Sequence, residues 1–152
     1  MQLVSRKGVL AIAAVLDVAV NARTRPVSAK ALAARNKLPP RHLEPVLQAL
    51  VRDGILRGIR GPHGGYEIAR DHAQITAEDI LRSAGTVEED GEALPASILV
   101  TAIVHPALMQ AERSFSAALR DITVAEMTRL AATSYVHGLD SFDGIPIEAK
   151  VR

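Results

Sequence analysis

The sequence contains no cysteine and few aromatic residues. The lack of cysteine excludes disulfides, cysteine-ligated zinc, cysteine-ligated iron–sulfur clusters and cysteine nucleophiles. Tryptophan is absent, and tyrosine and phenylalanine each occur twice in 152 residues, so any core must be aliphatic. Hydrophobic residues still make up 48% of the chain, which is enough to form a core, and the abundant alanine favours helices.

A hydrophobic run long enough to cross a membrane is also missing. Arg6 and Lys7 precede an apolar stretch from Gly8 to Leu16, an order that resembles a secretory signal. Asp17 interrupts this stretch, and it is far shorter than the about 20 residues that span a bilayer. An amphipathic helix in a cytoplasmic protein, with no membrane association, is the better interpretation.

Catalytic motifs are absent as well. The sequence shows no Ser/His/Asp spacing, no HExxH motif, and no phosphate loop, because the glycine-rich GPHGG is not followed by a helix. An acidic stretch at residues 85–94 could bind a metal ion, but unpatterned acidic residues are usually a solvated loop. We therefore expect no enzyme activity, no metal site and no cofactor.

The charge is unevenly distributed along the chain. Residues 1–72 carry 12 Lys/Arg and 5 Asp/Glu, whereas residues 73–152 carry 6 Lys/Arg and 12 Asp/Glu. This asymmetry indicates a part that binds a polyanion joined to a part that does not.

Helical patterns dominate the basic half. Ser5 can cap a helix over residues 6–21, and Ser28 can cap a short one over residues 29–35. After a tight turn, two prolines open a third helix that ends at Asp53, with Pro45 inside it. Two helices joined by a tight turn are typical of a helix-turn-helix, whose second helix enters the DNA major groove.

A glycine-rich hairpin follows directly. Residues 55–60 and 66–69 are strand-like, and the glycines between them suit a turn. Arg57 and Arg60 lie on the first strand, with His63 near the tip, and arginine favours the narrow minor groove. Taken alone, the hairpin is equally well explained as a DNA-binding wing or as an ordinary surface loop with solvated arginines.

The acidic half also predicts helices. They are expected at residues 77–84, 95–104, 106–121 and 124–133, although the β-branched residues of 95–104 would also suit a strand and only its flanks favour a helix. Thr76 can cap the first, Pro106 suits the first turn of the third, and Thr123 begins a capping box for the last. These apolar helices have little to pack on in so small a chain, so we expect a symmetric homodimer to bury them. The predicted dimerisation residues are Leu108, Phe115, Leu119 and Ile122.

At this point the residues resemble a known family. The segment RGPHGGYEIAR, with LEPVLQALVRDGIL before it and ITAEDILRSAG after it, is similar to the Rrf2 family of bacterial regulators, the group of IscR and NsrR. The resemblance covers about residues 1–130. It implies a mainly α fold with a small β-hairpin, namely a winged helix-turn-helix with a long C-terminal dimerisation helix, and control of transcription.

The resemblance, together with the basic residues, gives a set of expected DNA contacts. The start of the recognition helix provides Arg41, His42 and Glu44, and Arg60 of the wing is expected in the minor groove. Two positions depart from the family: Pro45 replaces a common polar residue, and Pro39 replaces a Ser/Thr cap. The full predicted set is Arg6, Lys7, Ser28, Lys30, Pro40, Arg41, His42, Glu44, Gln48, Arg57, Arg60, His63 and Gly64.

The cysteine ligands that hold the iron–sulfur cluster in many relatives are missing from this sequence. Many relatives hold an iron–sulfur cluster with three cysteines before the long helix, and here Ala102 falls at the position of the nearest one. His105 falls where some relatives have a histidine ligand, but one histidine without thiolates cannot hold such a cluster. We predict instead that His105 is an N-cap or a packing residue.

The prediction is a homodimeric, sequence-specific DNA-binding regulator, preferably a repressor, of a near-palindromic operator in double-stranded DNA. Its segments are a winged helix-turn-helix at 1–72, dimerisation or effector helices at 73–135 and an irregular tail at 136–152. One alternative is a protein-interaction module that contacts a partner enzyme through the acidic loop. A small-molecule effector also remains open, in an apolar pocket at Leu99, Ile103 or Leu108.

Overall fold

The computed structural model describes residues 3–85 and 97–136. Within them the helices are α1 (Arg6–Asn21), α2 (Ala29–Arg35), α3 (Pro40–Arg52), α4 (Ala77–Ala84), α5 (His105–Arg120) and α6 (Val124–Val136). The strands are β1 (Leu56–Ile59) and β2 (Gly65–Ile68), a 3-10 turn spans His72–Gln74, and a π-helical turn spans Leu99–Val104. None of these described helices is both long and apolar enough to cross a membrane.

Side-chain caps fix where the first helices begin. The Ser5 hydroxyl accepts the Gly8 amide at 3.0 Å, and the Ser28 hydroxyl accepts the Ala31 amide at 3.1 Å. Helix α4 has a full capping box, in which Thr76 accepts the Asp79 amide at 3.2 Å and Asp79 accepts the Thr76 amide at 3.0 Å. Each cap satisfies amides that a helix start leaves without partners. The predicted bounds of α1, α2 and α4 are therefore confirmed.

The core is aliphatic and joins both halves of the chain. Its largest fully buried side chains are Leu32, Leu43, Leu47, Leu50, Ile55, Leu56, Ile75, Ile80, Leu81, Val15, Val18 and Val46. Helix α1 packs closely on α4, since a Cβ added at Gly8 would lie 2.5 Å from Cδ2 of Leu81. Val124 of α6 is also fully buried in this core. Hydrophobic packing thus crosses the predicted functional division between residues 72 and 73, and that division remains a prediction.

The hairpin is an antiparallel pair attached to the helix-turn-helix. Leu56 pairs with Ile68, and Ile59 pairs with Gly65 at the tip. Two backbone hydrogen bonds join Tyr66 to Val27, the residue before the cap of α2, at 2.8 and 3.0 Å. This extra bridge gives the sheet a third, one-residue partner. The fold is a winged helix-turn-helix, as the sequence predicted.

The predicted helix break before Pro106 is wrong. Val104 and His105 both have right-handed helical backbone, so the π-helical turn runs into α5 without interruption. The His105 amide donates to the Val100 carbonyl, five residues back. Proline has no amide and crowds the carbonyl four residues before it, and the wider π-turn relieves that crowding.

The structure also corrects His105 and the last capping box. His105 is exposed and helical, so it is neither an N-cap nor a packing residue. Thr123 does accept the Glu126 amide, at 3.1 Å. The Glu126 carboxylate, however, pairs with Arg129 one turn later, so only half of the box forms. Helix α6 continues to Val136, three residues beyond the predicted end.

The predicted apolar effector pocket does not form within one chain. Leu99, Ile103 and Leu108 are 72%, 62% and 60% exposed, so they do not line an enclosed cavity. The acidic loop from residue 86 onward and the tail from residue 137 onward lie outside the described residues.

Candidate nucleic-acid interface

The recognition helix α3 has two distinct sides. Leu43, Val46, Leu47 and Leu50 are buried, and they hold the helix on the core. Arg41, His42, Glu44 and Gln48 are exposed on the opposite side. This apolar and polar spacing follows the helical repeat, so burying one side orients the other toward solvent. Helix α3 can therefore present four polar side chains from its first turns to a ligand.

Three surface hollows adjoin the recognition helix and the wing. The first lies between the start of α1 and the start of α3. It has a volume of about 690 Å³ and is lined by Arg6 and Lys7 from α1 and by Arg41 and His42 from α3. All four side chains are exposed. Residues that are 35 positions apart in sequence thus form one basic surface, as a phosphate backbone beside the major groove would require.

The second hollow lies between the wing tip and the start of α2. It measures about 430 Å³, and its walls include Arg25, Ser28, His63 and Gly64. The Val27–Tyr66 bridge brings these segments together. A Cβ at Gly64 would lie 2.2 Å from the Ile59 carbonyl oxygen, so the tip can only be this tight with glycine there.

The third hollow separates α3 from the wing. It has a volume of about 620 Å³, with Gln48 and Arg52 on the α3 side and Gly58 and Tyr66 on the wing side. Across the described residues, neither Asp nor Glu lines any of the three hollows. A surface with basic residues and no lining carboxylates is electrostatically suited to a polyanion.

Some predicted residues are not part of these hollows. Lys30, Pro40, Glu44 and Arg60 are exposed but line none of the three. Arg57 also lies outside them, and its guanidinium Nη2 is 2.8 Å from Oε2 of Glu67 on the opposite strand. This ion pair therefore links the two strands of the hairpin. A DNA phosphate would have to compete with Glu67 for the Arg57 guanidinium.

Sequence reasoning missed several residues of this surface. Arg25, Arg52 and Tyr66 line the hollows but were not predicted. Arg25 could have been predicted from the sequence, since it lies in the basic linker three residues before the Ser28 cap. Tyr66 could not have been predicted, because its position depends on the backbone bridge to Val27.

A buried ion pair, also missed, fixes α2 against α1. The Asp17 side chain is 7% exposed and accepts Arg35 Nη2 at 2.7 Å and Arg35 Nε at 2.9 Å. Asn21 adds a hydrogen bond from Nδ2 to Oδ1 of Asp17 at 3.1 Å. A buried carboxylate is stable only when it is paired in this way. The pair therefore connects the C-terminal end of α2 to α1.

Comparisons with known proteins agree with this geometry. A family profile described as "Rrf2: Iron-dependent Transcriptional regulator" matches residues 4–130. A Synechocystis protein, named as a candidate HTH-type transcriptional regulator, is 33% identical over 121 residues, which are 76% of this chain and 80% of that protein. IscR of Cronobacter sakazakii is 35% identical over 75 residues, 49% of this chain and 46% of that one.

A solved structure extends the likeness to the fold. T. potens IscR superposes with a TM-score of 0.67 at 30% identity, over 84% of this chain and 87% of that one. The chain spans only about half the length of several curated relatives that it matches, 50% and 53% of two of them. The family match nevertheless covers most of the sequence, from residue 4 to residue 130. The chain belongs to the Rrf2 family of transcriptional regulators.

Proposed function

We propose that this protein is a homodimeric repressor of transcription that binds a specific DNA operator in the cytoplasm. The observation that carries the proposal is the basic surface formed by the three hollows, which joins α1, the recognition helix and the wing without a lining carboxylate. Membership of a family of transcriptional regulators supports it. In this proposal residues 1–72 bind DNA and residues 73–135 form the dimer.

The recognition helix would read bases in the major groove. Arg41 and His42 occupy its first turn, where a helix-turn-helix contacts base edges. Arg60 directly follows the first wing strand, which ends at Ile59, and would enter the neighbouring minor groove. Arg6, Lys7 and Arg25 would contact phosphates on either side.

The long helix supports the homodimer. Ile98, Leu99, Ile103 and Leu108 are between 60% and 81% exposed. An exposed stripe of large aliphatic side chains is unfavourable in water and indicates a protein partner. A second copy would bury the stripe and place two recognition helices on two half-sites, which predicts a near-palindromic operator.

A thiolate-bound iron–sulfur cluster does not fit this chain. The family description includes iron dependence, but the sequence has no cysteine. In the described parts of the chain, no three His, Cys, Asp or Glu side chains lie close enough together to hold a metal ion. We therefore propose regulation without an iron–sulfur cluster, so oxidants that act on thiolates should leave DNA binding unchanged.

A gel-shift series tests the DNA surface. The purified protein would be titrated with the promoter region of its own gene, alongside Arg41→Ala, Arg60→Ala and Arg25→Ala. Each should weaken binding by about 10-fold or more, since a base contact contributes about 1–3 kcal/mol and a phosphate contact adds to the salt dependence. Arg129→Ala is the matched control because it removes the same charge from α6, which lines none of the three hollows.

Two outcomes separate the parts of the proposal. Equal binding by all four variants and the unmodified protein would mean that the assigned surface is wrong. No binding of promoter DNA by the unmodified protein, even at low salt, would reject the DNA-binding function itself.

A further inference from the structure

Among residues 3–85 and 97–136, the long helix α5 contacts the rest of the molecule near its C-terminal end. Residues 105–114 of α5 are all exposed, and Phe115, Ser116 and Leu119 near its C-terminal end are half-buried. Helix α4 is the main element of the body on which α5 packs. The apolar stripe at 98–108 therefore lies on the π-helical turn and the start of α5, far from this attachment.

Backbone hydrogen bonds make the first attachment. The Ala77 amide donates to the Ile122 carbonyl at 2.8 Å, and the Val124 amide donates to the Ile75 carbonyl at 2.9 Å. They join the start of α4 to the turn after α5. This pair fixes the position of the end of α5, but a single point of attachment leaves the direction of a helix open.

Glu78 makes the second attachment. It is a buried residue of α4, and its carboxylate accepts Arg120 Nε at 2.7 Å and Arg120 Nη2 at 3.2 Å. Ser116, one turn earlier on α5, lies close enough to this carboxylate to lower its pKa. Arg82, one turn later on α4, lies 2.8 Å from the same group. One buried carboxylate thus meets two successive turns of the long helix.

The burial of one partner distinguishes this contact from an ordinary surface ion pair: the Glu78 side chain is only 11% exposed, although that of Arg120 is 61% exposed. The Arg120 hydrogen bonds lower the pKa of Glu78 from 4.5 to about 2, with smaller contributions from Ser116 and Arg82, against the effect of burial. The two Arg120 bonds form a fork that fixes orientation as well as distance. An exposed ion pair would not hold two helices at a defined angle.

The length of α5 converts a small tilt at Glu78 into a large displacement of the far end of the helix. Helix α5 has 16 residues. Its length is therefore about 24 Å, and a tilt of about 10° at the attached end would move the far end by about 4 Å. Successive base pairs are about 3.4 Å apart along one strand, so such a tilt would change the half-site register.

We propose that Glu78 is a positioning residue that sets the direction of the long helix and thereby the half-site spacing that the dimer accepts. The inference rests on the proposed function, since it needs a DNA-binding dimer joined through α5. Glu78 does not touch DNA in this scheme. It acts through Arg120 and Ser116 on the separation of the two recognition helices.

The test is a spacing profile. An operator selected with the unmodified protein would be remade with its central spacer shortened or lengthened by one and two base pairs. The unmodified protein should prefer one spacing by about 10-fold or more, by the energy of a lost half-site contact. Glu78→Gln and Arg120→Gln should reduce that preference to about 3-fold or less, because a freely tilting α5 lets both half-sites be reached on several spacers. Glu126→Gln is the matched control, since it breaks an ion pair within α6 only.

A distance measurement keeps the test independent of DNA affinity. Because the sequence has no cysteine, Ala34→Cys, at an exposed position of α2 outside the predicted DNA contacts, would carry a single spin label in each protomer. The distance between the two labels should have a narrow distribution in the otherwise unmodified dimer. It should broaden or shift when Glu78→Gln is added, and it should not change with Glu126→Gln.

Each outcome has one meaning. Unchanged spacing preference and unchanged label distances in both Glu78→Gln and Arg120→Gln would overturn the positioning role, with the proposed function intact. A uniform loss of affinity on all spacers, with unchanged distances, would also overturn it, since the change would then be merely structural. A failure of the unmodified protein to dimerise or to bind DNA would reject the proposed function and this inference with it.

Discussion

Two buried carboxylates, Asp17 and Glu78, connect helices that are distant in sequence. Asp17 receives the fork of Arg35 and joins α1 to α2, whereas Glu78 receives the fork of Arg120 and joins α4 to α5. Their partners lie 18 and 42 residues away. Helix patterns describe neighbours three or four positions apart, so no local rule could pair these residues.

Glu78 should make stability depend on pH. Its pKa falls from 4.5 to about 2 on folding, so its contribution is present above about pH 4.5 and is lost as the pH falls toward 2. Between about pH 6 and about pH 3, the free energy of unfolding should therefore drop by about 1–2 kcal/mol more in the unmodified protein than in Glu78→Gln. Urea unfolding at both pH values measures the difference.

Among the contacts of individual residues, helix caps could be predicted from the sequence. Ser5, Ser28 and Thr76 each accept the amide three residues ahead, within the reach of a sequence motif. Thr123 shows the limit. Its hydroxyl caps α6 as expected, but Arg129 takes the Glu126 carboxylate that would have completed the box.

Whole elements were predicted where one periodicity extends unbroken between caps. The bounds of α1 and α2 agree with expectation, because a serine cap begins each and polar residues follow. The region before α5 did not follow this rule. A proline usually starts a helix, yet Pro106 lies inside a continuous one because the preceding π-turn makes room for its ring.

The wing depends on glycine at one position of its second strand. Gly65 has φ of +155°, and a Cβ there would lie 2.4 Å from the Val27 carbonyl oxygen. Gly65→Ala should separate the wing from the α2 linker, lowering the free energy of unfolding by about 1–3 kcal/mol and weakening operator binding by about 10-fold. Thermal unfolding and gel shift measure the two effects.

Gly58 offers the matched control for the wing. It lies on the opposite strand, and no atom is within 4 Å of a Cβ placed there. Gly58→Ala should therefore leave the free energy of unfolding close to that of the unmodified protein. Equal losses in both alanine variants would show that the hairpin tolerates no side chain at all, contrary to the role given to the Val27 contact.

At the scale of the whole molecule, charge was the most informative property of the sequence. The excess of basic residues before residue 73 predicted a polyanion-binding surface. The structure adds that basic residues from this part of the chain meet in hollows with no Asp or Glu among the described lining residues. Which residues meet could not be predicted, because Arg6 and Arg41 become neighbours only through the packing of α1 on α3.

The association state should depend on the exposed stripe. Leu108→Glu places a charge where a second copy would bury Leu108, which is 60% exposed in the single chain. The dimer should dissociate while each chain stays folded, and operator affinity should fall by about 100-fold or more as two half-sites are no longer linked. Sedimentation velocity with gel shift measures both. Gln110→Glu, at an exposed polar position of α5, should remain dimeric.

The two hydrogen bonds between Val27 and Tyr66 bear on the thermodynamics of recognition. A wing that swung freely would lose conformational entropy when DNA immobilised it, and that loss would subtract from affinity. Here the helix-turn-helix already holds the wing before any ligand arrives. If α3 and the wing read the two grooves as proposed, they do so as one preorganised unit, and the protein should bind as a rigid template to which the DNA must conform.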